Sequence, residues 1–181
     1  MLVIGLGDIG TAFAQKMKGL GCRTVGIKRR EARKPEGVDD LFTLERLEQQ
    51  LPKADIVALC LPGYEGTYHM LNEEKIRMLK ESAVVLNVGR GMTVDTEALT
   101  RALQEGRIAG ACLDVTDPEP LPSEHPLWDM DNVILTPHVS GRFSLPETLE
   151  KILNICIENL ECYLVKRPLR NVIDRKTGYR M

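Results

Sequence analysis

The chain has no excess of either charge, no long apolar run and no paired-cysteine motif. Each absence removes a class of function. Lys and Arg number 24 against 26 Asp and Glu, a formal net charge of −2. No basic field is therefore available to attract nucleic acid or an anionic membrane. No apolar run approaches the roughly 20 residues that span a bilayer. The N-terminus lacks a charged region followed by an apolar stretch and a small-residue cleavage site, so no export signal is visible and a cytoplasmic setting is expected. The five cysteines (Cys22, Cys60, Cys112, Cys156 and Cys162) are an odd number, and none forms a C-x-x-C pair. No metal site is expected from them. Cys60 and Cys112 lie inside apolar runs, where a thiol behaves as a small hydrophobe.

What is present is a regular alternation. Short apolar runs at 2–5, 23–27, 55–61, 83–88, 108–115 and 132–136 are separated by amphipathic stretches at 9–20, 43–51, 72–80 and 95–105. Continuous rather than alternating apolar runs suit strands buried on both faces, as in a parallel sheet covered by helices. Strand–helix alternation predicts a doubly wound α/β domain. The stretch 116–126, "TDPEPLPSEHP", carries four prolines and is expected to be an exposed loop. After Pro146, Leu149, Ile152, Leu153, Cys156, Leu160 and Leu164 recur at helical spacing, predicting an amphipathic helix to about Lys166 that Pro168 ends. The remaining residues read as a tail.

The first apolar run leads directly into Gly5-x-Gly7-x-x-Gly10. Gly5 permits the tight turn, Gly7 lets the backbone approach a pyrophosphate, and Gly10 lets the following helix pack on the strand. That helix then offers free N–H groups and its positive end to the phosphates. A glycine fingerprint between a strand and a helix reads as a dinucleotide site, and the domain as Rossmann-type. An NAD site usually carries Asp or Glu about 20 residues beyond the fingerprint, to bind the ribose 2′-hydroxyl. Here that position is Lys28, followed by Arg29 and Arg30. A cationic cluster attracts a 2′-phosphate, so NADP is expected in preference to NAD.

Three polar residues stand where apolar strands run out, the place where open α/β sheets bind ligands. They are Arg90 in "NVGRG", Glu119 in the proline-rich loop and His138 in "TPHVSG". The blocks "GLGDIG", "VVLNVGRGMTVDTEAL", "GACLDVTDPEPLP" and "LWDMDNVILTPHVSG" resemble, in order and spacing, the D-isomer-specific 2-hydroxyacid dehydrogenase family over residues 1–145.

The resemblance implies roles. Arg90 would bind the carboxylate of a small 2-keto acid with its planar fork. His138 would be the general acid/base for the keto oxygen, and Glu119 would hydrogen-bond and orient it. Asp114 matches the position that contacts the nicotinamide carboxamide, and Leu61, Pro62 and Thr67 match the wall of the adenosine side. Asp8 and Ile9 at the glycine turn, Val88 and Gly89 ahead of Arg90, and Gly141 beyond His138 complete the implied cofactor contacts. Members often have Leu-Pro-x-Thr where this chain has Leu61-Pro62-Gly63-Tyr64, which implies a local change in the cofactor pocket. His69 reads as structural or solvated.

The family closes a second domain over the nicotinamide, and most of that domain precedes the fingerprint. Nothing in the 181 residues corresponds to it. Residues 1–145 are accordingly expected to form the dinucleotide-binding domain, with 146–181 a helix and tail that would pack on the missing substrate domain. A fragment or truncated product of this kind is expected to bind dinucleotide and turn over substrate poorly, and the resemblance suggests a homodimer. Glyoxylate, hydroxypyruvate, phosphoglycerate and bulkier 2-keto acids all stay open as substrates. The alternative is a non-enzymatic dinucleotide-sensing module. Retention of Arg90, Glu119 and His138 together favours enzymatic ancestry, because phosphate binding needs none of them.

Overall fold

A computed structural model describes residues 1–141 and 145–175. Seven strands form one sheet: β1 Leu2–Ile4, β2 Val25–Lys28, β3 Asp40–Thr43, β4 Ile56–Leu59, β5 Val84–Asn87, β6 Gly110–Leu113 and β7 Val133–Leu135. Their order is β3-β2-β1-β4-β5-β6-β7, and every pairing is parallel. The chain winds outward from β1 in both directions, so the order reverses at the β1/β4 boundary. That is the doubly wound arrangement the apolar runs predict.

Alternate residues of β1 explain why its run is apolar throughout. Leu2 and Ile4 enter one buried cluster with Ile27, Leu59 and Val85, while Val3 enters a second with Leu6, Ala14 and Val38. Helix α1 (Asp8–Gly19) contributes Ala14 to the second cluster. Helices α2 (Leu47–Gln50), α3 (Glu73–Arg77) and α4 (Thr96–Gln104) contribute Leu47, Ile76 and Leu99 to the first. Both faces of the sheet are thus covered. The helix starts are written locally: the Asn72 side chain accepts from Lys75 N–H at 3.1 Å, and Asp95 accepts from Ala98 N–H at 2.9 Å.

Two features depart from the run pattern. Strand β3 has no apolar run of its own, since Asp-Leu-Phe-Thr is half-buried at every position on the sheet edge. The amphipathic stretch at 43–51 is a broken helix: a 3-10 turn at Leu44–Arg46, the four residues of α2, then another 3-10 turn at Leu51–Lys53. Pro52 stands at the start of that last turn. The proline-rich stretch runs without helix or strand to Pro126, where a 3-10 turn begins, and both Asp117–Pro118 and Glu119–Pro120 are cis.

The chain divides into two compact units, Met1–Pro137 and a second that begins at His138. The second contains α5 (Pro146–Leu164), with proline in its first turn. The tail folds back on it: Asn159 accepts from Arg170 N–H at 2.7 Å and donates to Arg170 O at 3.0 Å. No residue of α5 is buried, and Leu149, Ile152, Leu153 and Leu160 of the expected apolar stripe are all exposed. The end of the predicted tail, 176–181, lies outside the described residues. Among the described residues no helix is long and apolar enough to cross a membrane.

Candidate functional site

All seven strands deliver the chain to one edge, and the first unit's predicted site residues sit just past their ends. The glycine turn comes first. Gly5 has φ +95, and a Cβ there would lie 2.7 Å from Cys60 O. Its N–H donates to Ile27 O at 3.0 Å, which ties the turn to β2. A Cβ on buried Gly10 would lie 2.0 Å from Gly5 O, so α1 rests directly on the turn. Gly7 is different: a Cβ would meet nothing within 4 Å. Gly7, Asp8 and Ile9 are exposed, and no side chain caps the start of α1. The turn therefore presents uncapped N–H groups to open space, which fits a phosphate.

Contacts run from this turn across the sheet edge. A Cβ on Gly89 would meet Leu61 O at 2.6 Å, one on Gly63 would meet Arg90 Cγ at 3.1 Å, and one on Gly91 would meet Thr116 O at 1.8 Å. The loops after β1, β4, β5 and β6 therefore abut as backbone against backbone. Gly10, Gly5, Leu61, Gly89, Arg90 and the start of the proline-rich loop are thereby joined in one line. Lys28 ends β2, with Arg29 and Arg30 exposed beyond it.

Arg90 owes its position to a residue that the sequence reading did not single out. Asn87, at 1% exposure, donates from Nδ2 to Arg90 O at 3.0 Å and accepts from Gly89 N–H at 3.1 Å. Thr93 Oγ1 also donates to Arg90 O, at 2.7 Å. The guanidinium itself is exposed and donates to Gly89 O at 2.7 Å. An Asn87→Ala substitution leaves the buried Gly89 N–H without its acceptor, and is expected to cost about 1–3 kcal/mol of stability, read as a lower urea midpoint. A buried polar residue inside an apolar run was the available signal.

Thr67, expected on the adenosine side, is buried and committed to its own loop. Its Oγ1 lies 2.8 Å from Pro62 O and accepts from Tyr64 N–H at 3.1 Å. Asp114, 5% exposed, follows β6; its N–H donates to Asn87 O at 3.0 Å, and Thr136 Oγ1 donates to its Oδ1 at 2.6 Å. Glu119 is exposed in the proline-rich loop. His138 and Gly141 belong to the second unit; His138 lies three residues past β7, half-buried, with φ +53. His69 stacks on Tyr68 with ring centroids 3.9 Å apart, and its Nδ1 is 3.8 Å from Asp95.

Burial pushes the Cys60 thiol up to about 11, so it stays protonated at neutral pH and serves as packing rather than as a nucleophile. The Asp39 carboxyl is held down to about 2 by its bond to Lys18 and by Thr24 N–H. Asp39 lies at the opposite, amino-terminal edge of the sheet, where Lys18, Cys22, Arg23 and Asp40 line a cavity of ≈ 420 Å³ with it. Open α/β sheets bind at the carboxyl edge, so this cavity is not the dinucleotide site. Among the described residues no cluster of His, Cys, Asp and Glu could hold a metal ion.

A parallel sheet with a glycine turn at its switch point defines a dinucleotide-binding α/β domain. Residues 1–140 match the D-isomer specific 2-hydroxyacid dehydrogenase, NAD binding domain, and the chain belongs to that family. It is 40% identical over 161 residues to a glyoxylate reductase of Korarchaeum cryptofilum, covering 87% of this chain and 47% of that protein. It superposes with a TM-score of 0.90 and 38% identity on a D-isomer specific 2-hydroxyacid dehydrogenase of Xanthobacter autotrophicus Py2 in complex with NADPH and MES, covering 99% of this chain and 72% of that one. A D-isomer specific 2-hydroxyacid dehydrogenase of Lactobacillus delbrueckii ssp. bulgaricus, in its NAD complexed form, superposes at 0.83 with 28% identity over 96% of this chain and 55% of that one. The chain spans about half the length of the curated relatives it matches.

Proposed function

We propose that the chain is the cofactor-binding and catalytic-residue portion of an oxidoreductase that moves hydride between NAD(P)H and a 2-keto or D-2-hydroxy acid. The observation that carries this reading is the unbroken line of backbone contacts from the glycine turn through Gly89–Arg90 to the proline-rich loop. It supports a phosphate cradle and a carboxylate-binding Arg90 that share one edge. The dinucleotide, when bound, supplies or receives the hydride. Arg90 holds the substrate carboxylate in its fork and draws electron density from the adjoining carbonyl. His138 passes a proton to the keto oxygen in reduction and takes it back in oxidation. Glu119 orients the His138 ring. Residues 146–181 pack, in this reading, on the substrate-binding part that longer relatives carry, and the exposed apolar side chains of α5 support such a role. The assembled protein is proposed to be a homodimer.

NADP is proposed as the preferred cofactor because Lys28 and Arg29 stand where a carboxylate would repel a 2′-phosphate. Titration of the 181-residue chain is expected to give an NADPH affinity about tenfold above that for NADH, a difference of about 1.4 kcal/mol. The double change Lys28→Glu with Arg29→Glu is expected to erase or reverse it. Equal wild-type affinities would remove the NADP assignment, and binding of neither would remove the whole reading. With glyoxylate or hydroxypyruvate added, little NADPH oxidation is expected from the chain alone. Any turnover that survives His138→Ala undiminished would remove the proton-transfer role.

A further inference from the structure

Residues 1–30 carry six Lys and Arg but one acid, Asp8, and that acid stands in the first turn of α1, directly after the glycine turn. The first bond of the helix is Thr11 N–H to Gly7 O, at 2.9 Å. The N–H groups of Asp8, Ile9 and Gly10 therefore have no acceptor within the helix. Gly7 stands at the N-cap and offers them no side chain. Asp8 is exposed, and among the described residues its carboxylate has no ion-pair or hydrogen-bond partner. Lys18 and Arg23 do not neutralise it, being paired with Asp39 and Asp40 at the opposite edge of the sheet. An unpaired carboxylate at the positive end of a helix is favourable in the empty protein. A diphosphate seeks the same end of the same helix, and carries the same sign of charge.

We infer that Asp8 is an electrostatic brake on dinucleotide binding: its carboxylate stabilises α1 in the empty protein and opposes the diphosphate that the glycine turn accommodates. This rests on the dinucleotide reading proposed above, and adds to it the residue that holds the affinity down. Main chain and side chain of one residue then act with opposite sign, the N–H attracting the phosphates and the carboxylate repelling them. The repulsion concerns the diphosphate, which NADH and NADPH share, whereas Lys28 and Arg29 bear on the 2′-phosphate that only NADPH carries. Because Asp8 is exposed, its field acts through water and is screened by salt. An affinity limited in this way leaves the dinucleotide exchangeable after each hydride transfer. A purely structural role for Asp8, as a favourable charge at a helix start, predicts the reverse, since its loss would loosen the turn and weaken binding.

The opposed signs give the test. The full chain and its Asp8→Asn and Asp8→Glu variants are titrated with NADH and with NADPH, at about 0.02 M and about 0.5 M salt. At low salt Asp8→Asn is expected to raise the affinity about three- to tenfold, by the same factor for both ligands. At high salt the gain should shrink to within about twofold. Asp8→Glu keeps the charge and is expected to bind like the wild type. Asp131→Asn removes an exposed charge ahead of β7, at the amino-terminal edge, and is expected to leave both affinities unchanged. Without ligand, Asp8→Asn should melt about 1–3 °C below the wild type, so that tighter binding accompanies a less stable helix. Unchanged or weaker binding by Asp8→Asn overturns the inference while the dinucleotide reading stands. A gain confined to NADPH, a gain of the same size at both salts, or a gain matched by Asp131→Asn overturns it too. Wild-type and Asp8→Asn chains that bind neither ligand overturn the dinucleotide reading itself, and the brake with it.

Discussion

Gly10→Ala is expected to lower dinucleotide affinity at least a hundredfold and to cost about 2–3 kcal/mol of stability, within the range of small-to-large changes in packed sites. The added Cβ would lie 2.0 Å from Gly5 O and 3.1 Å from Gly5 C, so backbone must move. Gly5 cannot yield, because its peptide is held by Ile27 O on one side and crowded by Cys60 O on the other. The remaining freedom is for α1 to lift off β1, which pulls Ala14 from the cluster it shares with Val3, Leu6 and Val38. The same displacement turns the uncapped N–H groups away from the phosphates. Gly7→Ala separates the two effects. Its Cβ meets nothing of the protein within 4 Å, so stability should fall by about 1 kcal/mol or less, the cost of a poorer N-cap. Its affinity should nonetheless drop sharply, because that open space is where the proposed function puts the pyrophosphate. Urea unfolding and NADPH titration of both variants decide the matter. A Gly10→Ala protein with native affinity would show that the turn does not bind dinucleotide.

Much of the architecture was legible because the signals were local. Each of the six apolar runs marks a strand, β2 extending one residue past its run to Lys28, and β1 shows why: residues facing two covered faces have no polar alternation to mark them. The missing strand, β3, is legible only from its neighbour. Asp40 and Thr43 are polar, Leu41 and Phe42 are half-buried, and what makes the segment a strand is its pairing with β2. The 43–51 stretch has helical spacing but is only one turn of α-helix between 3-10 turns, with Pro52 just beyond. Tertiary packing of Leu47 and Leu51 holds it there, since so short a segment has little helical stability alone.

The site was legible where residue chemistry is distinctive, and not where a side chain serves the backbone. Arg90 carries a charge at a strand end and draws attention. Asn87 and Thr136 bond to Arg90 and Asp114, partners three and 22 residues away. No spacing rule announces a threonine that becomes a neighbour only when β6 and β7 pair.

Gly91→Ala is the second large effect expected, and it tests the junction between the arginine loop and the proline-rich loop. Its Cβ would lie 1.8 Å from Thr116 O, 2.1 Å from Thr116 C and 2.8 Å from Asp117 N, all backbone atoms. Neither loop can give way freely. Gly91 O accepts from Val94 N–H at 3.0 Å in a tight turn, and Asp117 N–H reaches Thr96 Oγ1 at 3.3 Å at the start of α4. The clash should be relieved by pushing the proline-rich loop outward, breaking the Asp117–Thr96 bond and carrying Glu119 away from its place. A cost of about 3 kcal/mol is expected, the upper part of the overpacking range, because no flexible side chain absorbs the contact. Faster amide exchange at Asp117 should accompany it, since that N–H loses its acceptor. NADPH affinity should fall far less than in Gly10→Ala, since the glycine turn lies at the other end of the line of contacts. Any oxidoreduction supported by the protein should fall further than the binding does, because Glu119, proposed to orient the proton-transfer residue, is the residue displaced. A Gly91→Ala chain with native stability and unchanged Asp117 exchange would show that the two loops are not joined as described, and the shared edge proposed for catalysis would lose its support.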